Sequence, residues 1–417
     1  MKRNLALMIL LSFALVLMNC EAEDNPSVWD PEDEGAPNPV VISVTPSDAQ
    51  YGGVGTKKLV TIDGENFNSE IDGNSVYFGN VMGDVIEAFP NQLKVAAPAN
   101  YADSLKIEIH SHGAYLPAVY GTEENPEPYS IMSPVERPGN FTGSDKPGAL
   151  AVDSENNLFV ASESRLLKVT PEGDKIYYGN LTQPCTRITI TPDGAMAYNY
   201  LNYVLKTDSL EFDPDVAKPT SEFLKTAEAI KDFDYDSEKN MIVISRSTIS
   251  FADIVNLEIK SEQVFEDYSF ITGRFYNGTL YLFANYIGTD VDMTDGPYLL
   301  KIGVDAANAA LTGDLQMVYN FDELGYPDIT VKSIDITTDG KLYLGTTTHS
   351  MLVSNTVEAG VFEQVFPQIL GEHMIHDFKW SNDEYIFINT KNSNDDTKTT
   401  ILKLMVFEES ADHYGRN

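Results

Sequence analysis

One strand–turn–strand unit recurs six times in this 417-residue chain, and the recurrence restricts the fold more than any other feature. The copies begin at Leu150, Ile188, Phe233, Gly273, Ile334 and Phe378, at intervals of 38, 45, 40, 61 and 44 residues. Each is a short apolar strand, a polar turn and a second apolar strand, as in Ile334-Asp-Ile-Thr-Thr-Asp-Gly-Lys-Leu-Tyr-Leu344. A period near 40 with several strands per period is the signature of propeller blades, because one such unit cannot bury its apolar faces alone and a stack of them can. Around the first copy four strands are predicted, over 149–153, 157–162, 165–170 and 175–179. Asp193-Gly194, Asn277-Gly278 and Asp339-Gly340 mark hairpin turns in which both central residues take positive φ. The 61-residue interval predicts a long insertion in blade four, beginning at Tyr286. The last copy has three strands and then the chain stops. Segment 136–142, upstream of the first copy, is the candidate fourth strand, and its return would abolish an exposed edge.

The beginning of the chain is different in kind. Lys2 and Arg3 precede an apolar run from Leu5 to Met18, shorter than the ~20 residues that cross a bilayer as a helix. Residues 1–19 therefore read as a secretory signal peptide. The run ends at Leu17-Met18-Asn19-Cys20, which resembles a bacterial lipobox. That resemblance implies cleavage before Cys20 and lipidation of its thiol, so that the protein is anchored to a membrane and does not span it. Each buried acyl methylene contributes ~0.8 kcal/mol to such an anchor. Glu21 to Asn38 carries seven acids and no base, too little apolar surface to fold. Residues 20–38 are expected to be a disordered acidic tether. An acidic stretch behind a lipidated cysteine also resembles the export signal of Bacteroidota surface lipoproteins. It implies the outer membrane and its cell-surface face, with the periplasmic face as the alternative.

Between the tether and the repeats, residues 39–131 show short alternating runs: Val40–Val44, Leu59–Ile62, Ser75–Gly79, Gln92–Val95 and Leu105–His110. Period two with Gly, Pro and Asn at the breaks predicts a sandwich of short strands. Val40 to Pro46, Ile62-Asp-Gly-Glu-Asn-Phe67, Val76-Tyr-Phe-Gly79 and Ala97-Pro98 resemble, in order and spacing, the motifs of the IPT/TIG immunoglobulin-like domain. Phe67 and Phe78 are expected to plug the sandwich, with Gly64 and Gly79 in tight turns. The Asp-x-x-Gly-x-Leu-Tyr beat of the repeats over 134–409 resembles NHL-type six-bladed propellers. The expected fold is therefore all-β: an immunoglobulin-like sandwich followed by a six-bladed β-propeller.

The chain carries 63 acids against 28 Lys and Arg, a net charge of −35. Loss of Lys2 and Arg3 with the signal peptide takes this to −35 − 2 = −37. Such a surface repels phosphate backbones and excludes nucleic acid as a partner. Anionic polysaccharide is repelled too, unless cations mediate. Only Cys20 and Cys185 are present, so once Cys20 is lipidated Cys185 is a single buried thiol.

No catalytic constellation emerges, and no cofactor or metal is expected. Gly52-Gly-Val-Gly-Thr-Lys-Lys58 lacks phosphate-loop spacing and precedes a strand, which suits a sandwich loop. His110 and His112 share one face of a strand but lack a third ligand. Asp290, Asp292 and Asp295 depart from the EF-hand pattern and read as a solvated loop. His376 and Asp377 enter the first strand of blade six, which lines the central channel, and are the candidates for chemistry there. His349 and His373 are read as loop or separate side chains. Tyr198, Tyr200, Tyr203 and Tyr286 are the candidate platform for stacking on sugar rings, against the alternative that strand spacing makes them core. Trp380, on a first strand, is expected to be packed.

The layout resembles accessory glycan-binding lipoproteins of Sus-type uptake systems. It implies a non-enzymatic surface-binding protein whose partners are a membrane, a polysaccharide and an outer-membrane transporter. The alternatives are a propeller lyase or hydrolase acting on polysaccharide, and a protein-binding scaffold or adhesin.

Overall fold

The computed structural model describes residues 35–46, 59–142, 144–207, 222–290, 296–371, 373–392 and 395–414. The signal peptide, Cys20, Trp29, the loop at 52–58, Asp292 and Asp295 lie outside them. Two units divide between Met132 and Ser133. Strands dominate both; among the described residues no helix is long and apolar enough to cross a membrane.

In the first unit, seven strands form one continuous sheet in the order Val40–Thr45, Leu59–Glu65, Gln92–Ala96, Val81–Phe89, Asn74–Phe78, Ile107–Ser111, Ala118–Val119. Val81–Phe89 makes it continuous, since its first residues pair with 76–78 and its last with 92–96. Alternation then sorts the side chains. Val60, Ile62, Val76, Phe78, Leu93, Val95, Ile107 and Ile109 are fully buried in one core, and Phe67 joins them. Gly79 takes a positive φ as expected. Gly64 does not sit in a turn: it lies within a strand, and a β-carbon there would meet the Val40 carbonyl oxygen at 2.0 Å. The turn is made by Asn66 instead, at φ 60. Residues 35–38, the end of the expected tether, are bound to this unit. The Ala36 N–H donates to Gly113 O at 2.7 Å, and Asn38 Oδ1 accepts from Leu116 N.

In the second unit, six four-stranded antiparallel sheets follow one another along the chain. Their innermost strands are Leu150–Val152, Ile188–Ile190, Ile230–Tyr235, Tyr268–Tyr276, Val331–Ile336 and His373–Trp380. Six apolar cores lie between them, and each draws its residues from two neighbouring blades. One joins Leu150, Leu158 and Val160 of blade one to Tyr385, Phe387 and Ile401 of blade six, which shows that the ring is closed. The fourth strand of blade six is Val135–Glu136, pairing with Leu404 and Lys403. Closure therefore comes from upstream, as expected, but one residue earlier and over a shorter span. Pro138–Asn140 turns away as a 3-10 turn, and Phe141 enters the core between blades six and one.

Only Asn277-Gly278 has positive φ at both central turn residues. At Asp193-Gly194 and Asp339-Gly340 the glycine alone is left-handed, because the aspartate accepts a hydrogen bond from Thr191 or Thr337 two residues back. Blade four is long because its strands are long, nine to eleven residues for Tyr268–Tyr276, Gly296–Asp305 and Ala310–Asn320. The expected insertion after Tyr286 corresponds to the connection 287–295, of which 291–295 lie outside the described residues.

Trp380 ends the inner strand of blade six, fully buried, its ring edge-on to Tyr343 at 4.9 Å and its Nε1–H donating to Glu408 O at 3.0 Å. Trp380→Ala leaves a large void between blades five and six, and a loss of about 3–5 kcal/mol is expected in chemical denaturation.

Candidate functional site

Six inner strands around one axis crowd their side chains into a narrow channel. The second residue of each repeat copy, from Ala151 through Thr189, Asp234, Arg274 and Asp335 to Lys379, faces it. Buried charge there must be paired, and Arg274 is the hub. It is 3% exposed. Its Nε donates to Asp335 Oδ1 at 2.8 Å, its Nη1 to Asp234, and its Nη2 to the carbonyls of Ala411 and Asp412 at 2.9 and 2.8 Å. His413 Nε2 lies 3.1 Å from the other Asp335 oxygen. Burial works against the Asp335 charge, yet His413 and Arg274 together hold its carboxyl well below the usual carboxylate range. One layer away, Arg187 Nε meets Asp232 Oδ1 at 3.1 Å, and Asp232 also accepts from Thr272.

The two ends of the channel differ. At the carboxyl ends of the inner strands, residues 409–414 lie across blades four and five. Ala411 N donates to Ile336 O, Thr338 N to Glu409 O, and Tyr414 packs edge-on against Phe275. At the amino ends the channel widens into a cavity of about 570 Å³, within the range of small-molecule sites. Its wall carries Arg187, Lys231, Lys332 and His376, with Asn285 and Asn389 from the ends of second strands and Ile271 as apolar surface. Cys185 lines it as well, and burial pushes its thiol up to about 12 against the pull of Arg187. His376 Nε2 and Asn389 Oδ1 are buried and have no hydrogen-bond partner. Burial, Lys391 and Lys332 together hold the His376 imidazole below its ordinary value, so it is neutral at neutral pH.

Of the candidates drawn from sequence, His376 faces this cavity. Asp377 does not join it as a dyad: no hydrogen bond links the two, and Asp377 Oδ2 accepts from Leu150 N at 3.1 Å on the adjoining blade. Burial raises its carboxyl above the usual range, with Lys379 and Arg187 opposing. Tyr198 is no platform. It is fully buried between blades one and two, hydroxyl to Thr182 Oγ1 at 2.6 Å. Tyr286 is likewise core, packed on Tyr268 and Tyr298 with its hydroxyl accepting from Asp290 N. Tyr200 and Tyr203 are cross-strand partners at a hairpin on the cavity's side of blade two, both half-buried. His110 bonds Glu108, His349 packs against Tyr326, and His373 bonds Thr390. Among the described residues no three potential metal ligands come together.

The family model of the IPT/TIG domain matches residues 39–126. The first unit is an IPT/TIG domain. No curated protein matches the chain significantly. Among solved structures, a Bacteroides thetaiotaomicron protein provisionally named a phosphatase superposes with TM-score 0.51 at 12% identity, over 92% of this chain and 98% of its own. At that identity the likeness is one of fold. An auxiliary nutrient binding protein from the same species gives 0.46 at 13% identity (90% and 98% covered), and one from Bacteroides ovatus 0.45 at 11% (92% and 100%). The IPT/TIG domain is followed by a six-bladed propeller.

Sequence reasoning missed Arg187, Lys231 and Lys332. Arg187 immediately precedes a repeat copy, which was the available signal; the two lysines carry none.

Arg274→Met strands two buried aspartates without their cation, and a loss of about 3–5 kcal/mol is expected, read from denaturant unfolding. The Cys185 thiol, with its raised value, is expected to react with iodoacetamide at pH 8 at least tenfold more slowly in the folded protein than in urea, since the thiolate is the nucleophile; equal rates would contradict its burial.

Proposed function

We propose that this protein is a lipid-anchored, non-enzymatic binding protein of the outer membrane, which holds a glycan at the open mouth of its propeller and serves as an accessory to a Sus-type transporter. The anchor is the lipidated Cys20, and the cell surface is the favoured face. One observation carries the binding role: the mouth is a cavity of ligand size walled by polar and charged side chains, Arg187, Lys231, Asn285 and Lys332 among them. Ile271, which is partly exposed, offers apolar surface to a sugar's C–H face. Tyr200 and Tyr203 extend aromatic surface on the same side.

Binding is favoured over catalysis because the axial carboxylates are committed elsewhere. Asp232, Asp234 and Asp335 are paired with Arg187, Arg274 and His413, and Asp377 is turned away from His376. A general acid–base pair needs groups within hydrogen-bond reach of one reacting atom.

Two measurements test this. Radiolabelled palmitate is expected to enter the expressed protein and not the Cys20→Ser variant. On a glycan array the protein is expected to retain ligands without releasing shorter products; steady product release would replace binding by catalysis.

A further inference from the structure

The wall of the mouth is built by a repeated backbone device. In blades three to six the pairing of the inner strand shifts register at the same place, between 230 and 232, 270 and 272, 331 and 333, and 375 and 377. The residues skipped are Lys231, Ile271, Lys332 and His376, and all four line the cavity. A bulge of this kind leaves one residue out of the ladder and re-aims its side chain. Three of the four carry nitrogen. Arg187, from blade two, adds a guanidinium, and no aspartate or glutamate is among the described residues lining the cavity, in a chain with 63 of them.

Lys231 and Lys332 are unlike the other cations of the channel. Arg187, Arg274 and Lys379 each have an aspartate within ion-pair distance. Lys231 and Lys332 have none among the described residues, and Lys332 is half-buried. Its charged form is disfavoured by burial and by the nearness of Arg187 and Lys231, with no acid opposing. Lys332, half-buried with Arg187 and the exposed Lys231 nearby and no acid opposing, is a charge that a bound anion would stabilise.

We infer that the mouth of the propeller takes the anionic group of an acidic glycan, a uronate carboxylate or a sulfate ester, held by Lys231 and Lys332 with His376 beside them. This rests on the reading of the mouth as a glycan site and names the class of glycan. The anion sits between the two ammonium groups, and the Ile271 surface takes the ring face. Neutral glycans of the same size leave the lysines unmatched and bind more weakly.

The test uses the full chain carrying Cys20→Ser, in which Cys185 is the sole thiol. Calorimetric titration compares an oligogalacturonate, a sulfated oligosaccharide and a neutral oligoglucoside of equal length. One acidic ligand is expected to bind at least about tenfold tighter than the neutral one, and the two acidic arms tell carboxylate from sulfate. Lys231→Gln and Lys332→Gln, which break no ion pair, are each expected to lower that affinity about tenfold. A second readout needs no glycan: inorganic sulfate is expected to slow alkylation of Cys185, relative to chloride at matched ionic strength, and not in the Lys231→Gln/Lys332→Gln double variant. Equal binding of neutral and acidic glycans, unchanged by either substitution, overturns the anion assignment and leaves the glycan site standing. Lysine-dependent protection by sulfate with no glycan bound keeps the anion site and overturns the glycan reading. Neither binding nor protection overturns both.

Discussion

A ring of six blades has only one place where all of them meet, and in this protein that place is charged. Arg274 donates to two carboxylates and two carbonyls at once, linking blade three, blade five and the segment 411–412 through one planar group. A lysine could not span that set, since it lacks the fork of fixed donors. Removal of charge from water is costly, and its pairing here recovers much of that cost only because every donor is used. The axis therefore depends on residues far apart in sequence. Asp234, Arg274, Asp335 and His413 satisfy one another across blades three to five and the segment 409–414, which couples the ring to the docking of the last residues of the described chain.

That docking gives the propeller its polarity. Residues 409–414 take up the backbone and side-chain acceptors at the carboxyl ends of the inner strands, and those of blades four and five in particular. The opposite end has no such cover among the described residues. There the register shifts in four blades present side chains to a cavity instead of to a neighbouring strand. One end of the axis is thus covered by residues 409–414, which line a polar cavity of about 480 Å³ there, and the other opens into the cavity that carries the unpaired lysines.

Much of this was legible before the structure, and the rest was not for identifiable reasons. The six copies, once aligned, name the axial layer directly: position two of each is Ala151, Thr189, Asp234, Arg274, Asp335 and Lys379. The IPT/TIG motifs placed Phe67 and Phe78 in the core. Tyr198 and Tyr286 misled because a second strand in a blade is covered on both faces by its neighbours. Along Met196–Tyr200 only the last residue escapes full burial, so alternation says nothing about which side chain meets solvent. Lys231 and Lys332 were hidden by the register shift itself. Counting by twos along Lys231-Asp232-Phe233-Asp234 puts Lys231 on the side of Phe233, and a bulge inverts that parity without any mark in composition.

Net charge misleads by the same confusion of scale. A balance of −35 describes the field of the whole surface, and at physiological salt that field is screened beyond about 8 Å. An anion approaching from a distance meets repulsion, which weighs against a nucleic acid, whose phosphates must lie along an extended face. A single carboxylate or sulfate at the mouth meets a different surface, with Arg187, Lys231 and Lys332 close at hand and no carboxylate among the described lining residues. Within a low-dielectric cavity those near charges act with less screening than the distant acids do. A strongly acidic protein can therefore refuse polyanions that need its surface and still accommodate one acidic group that needs only its channel.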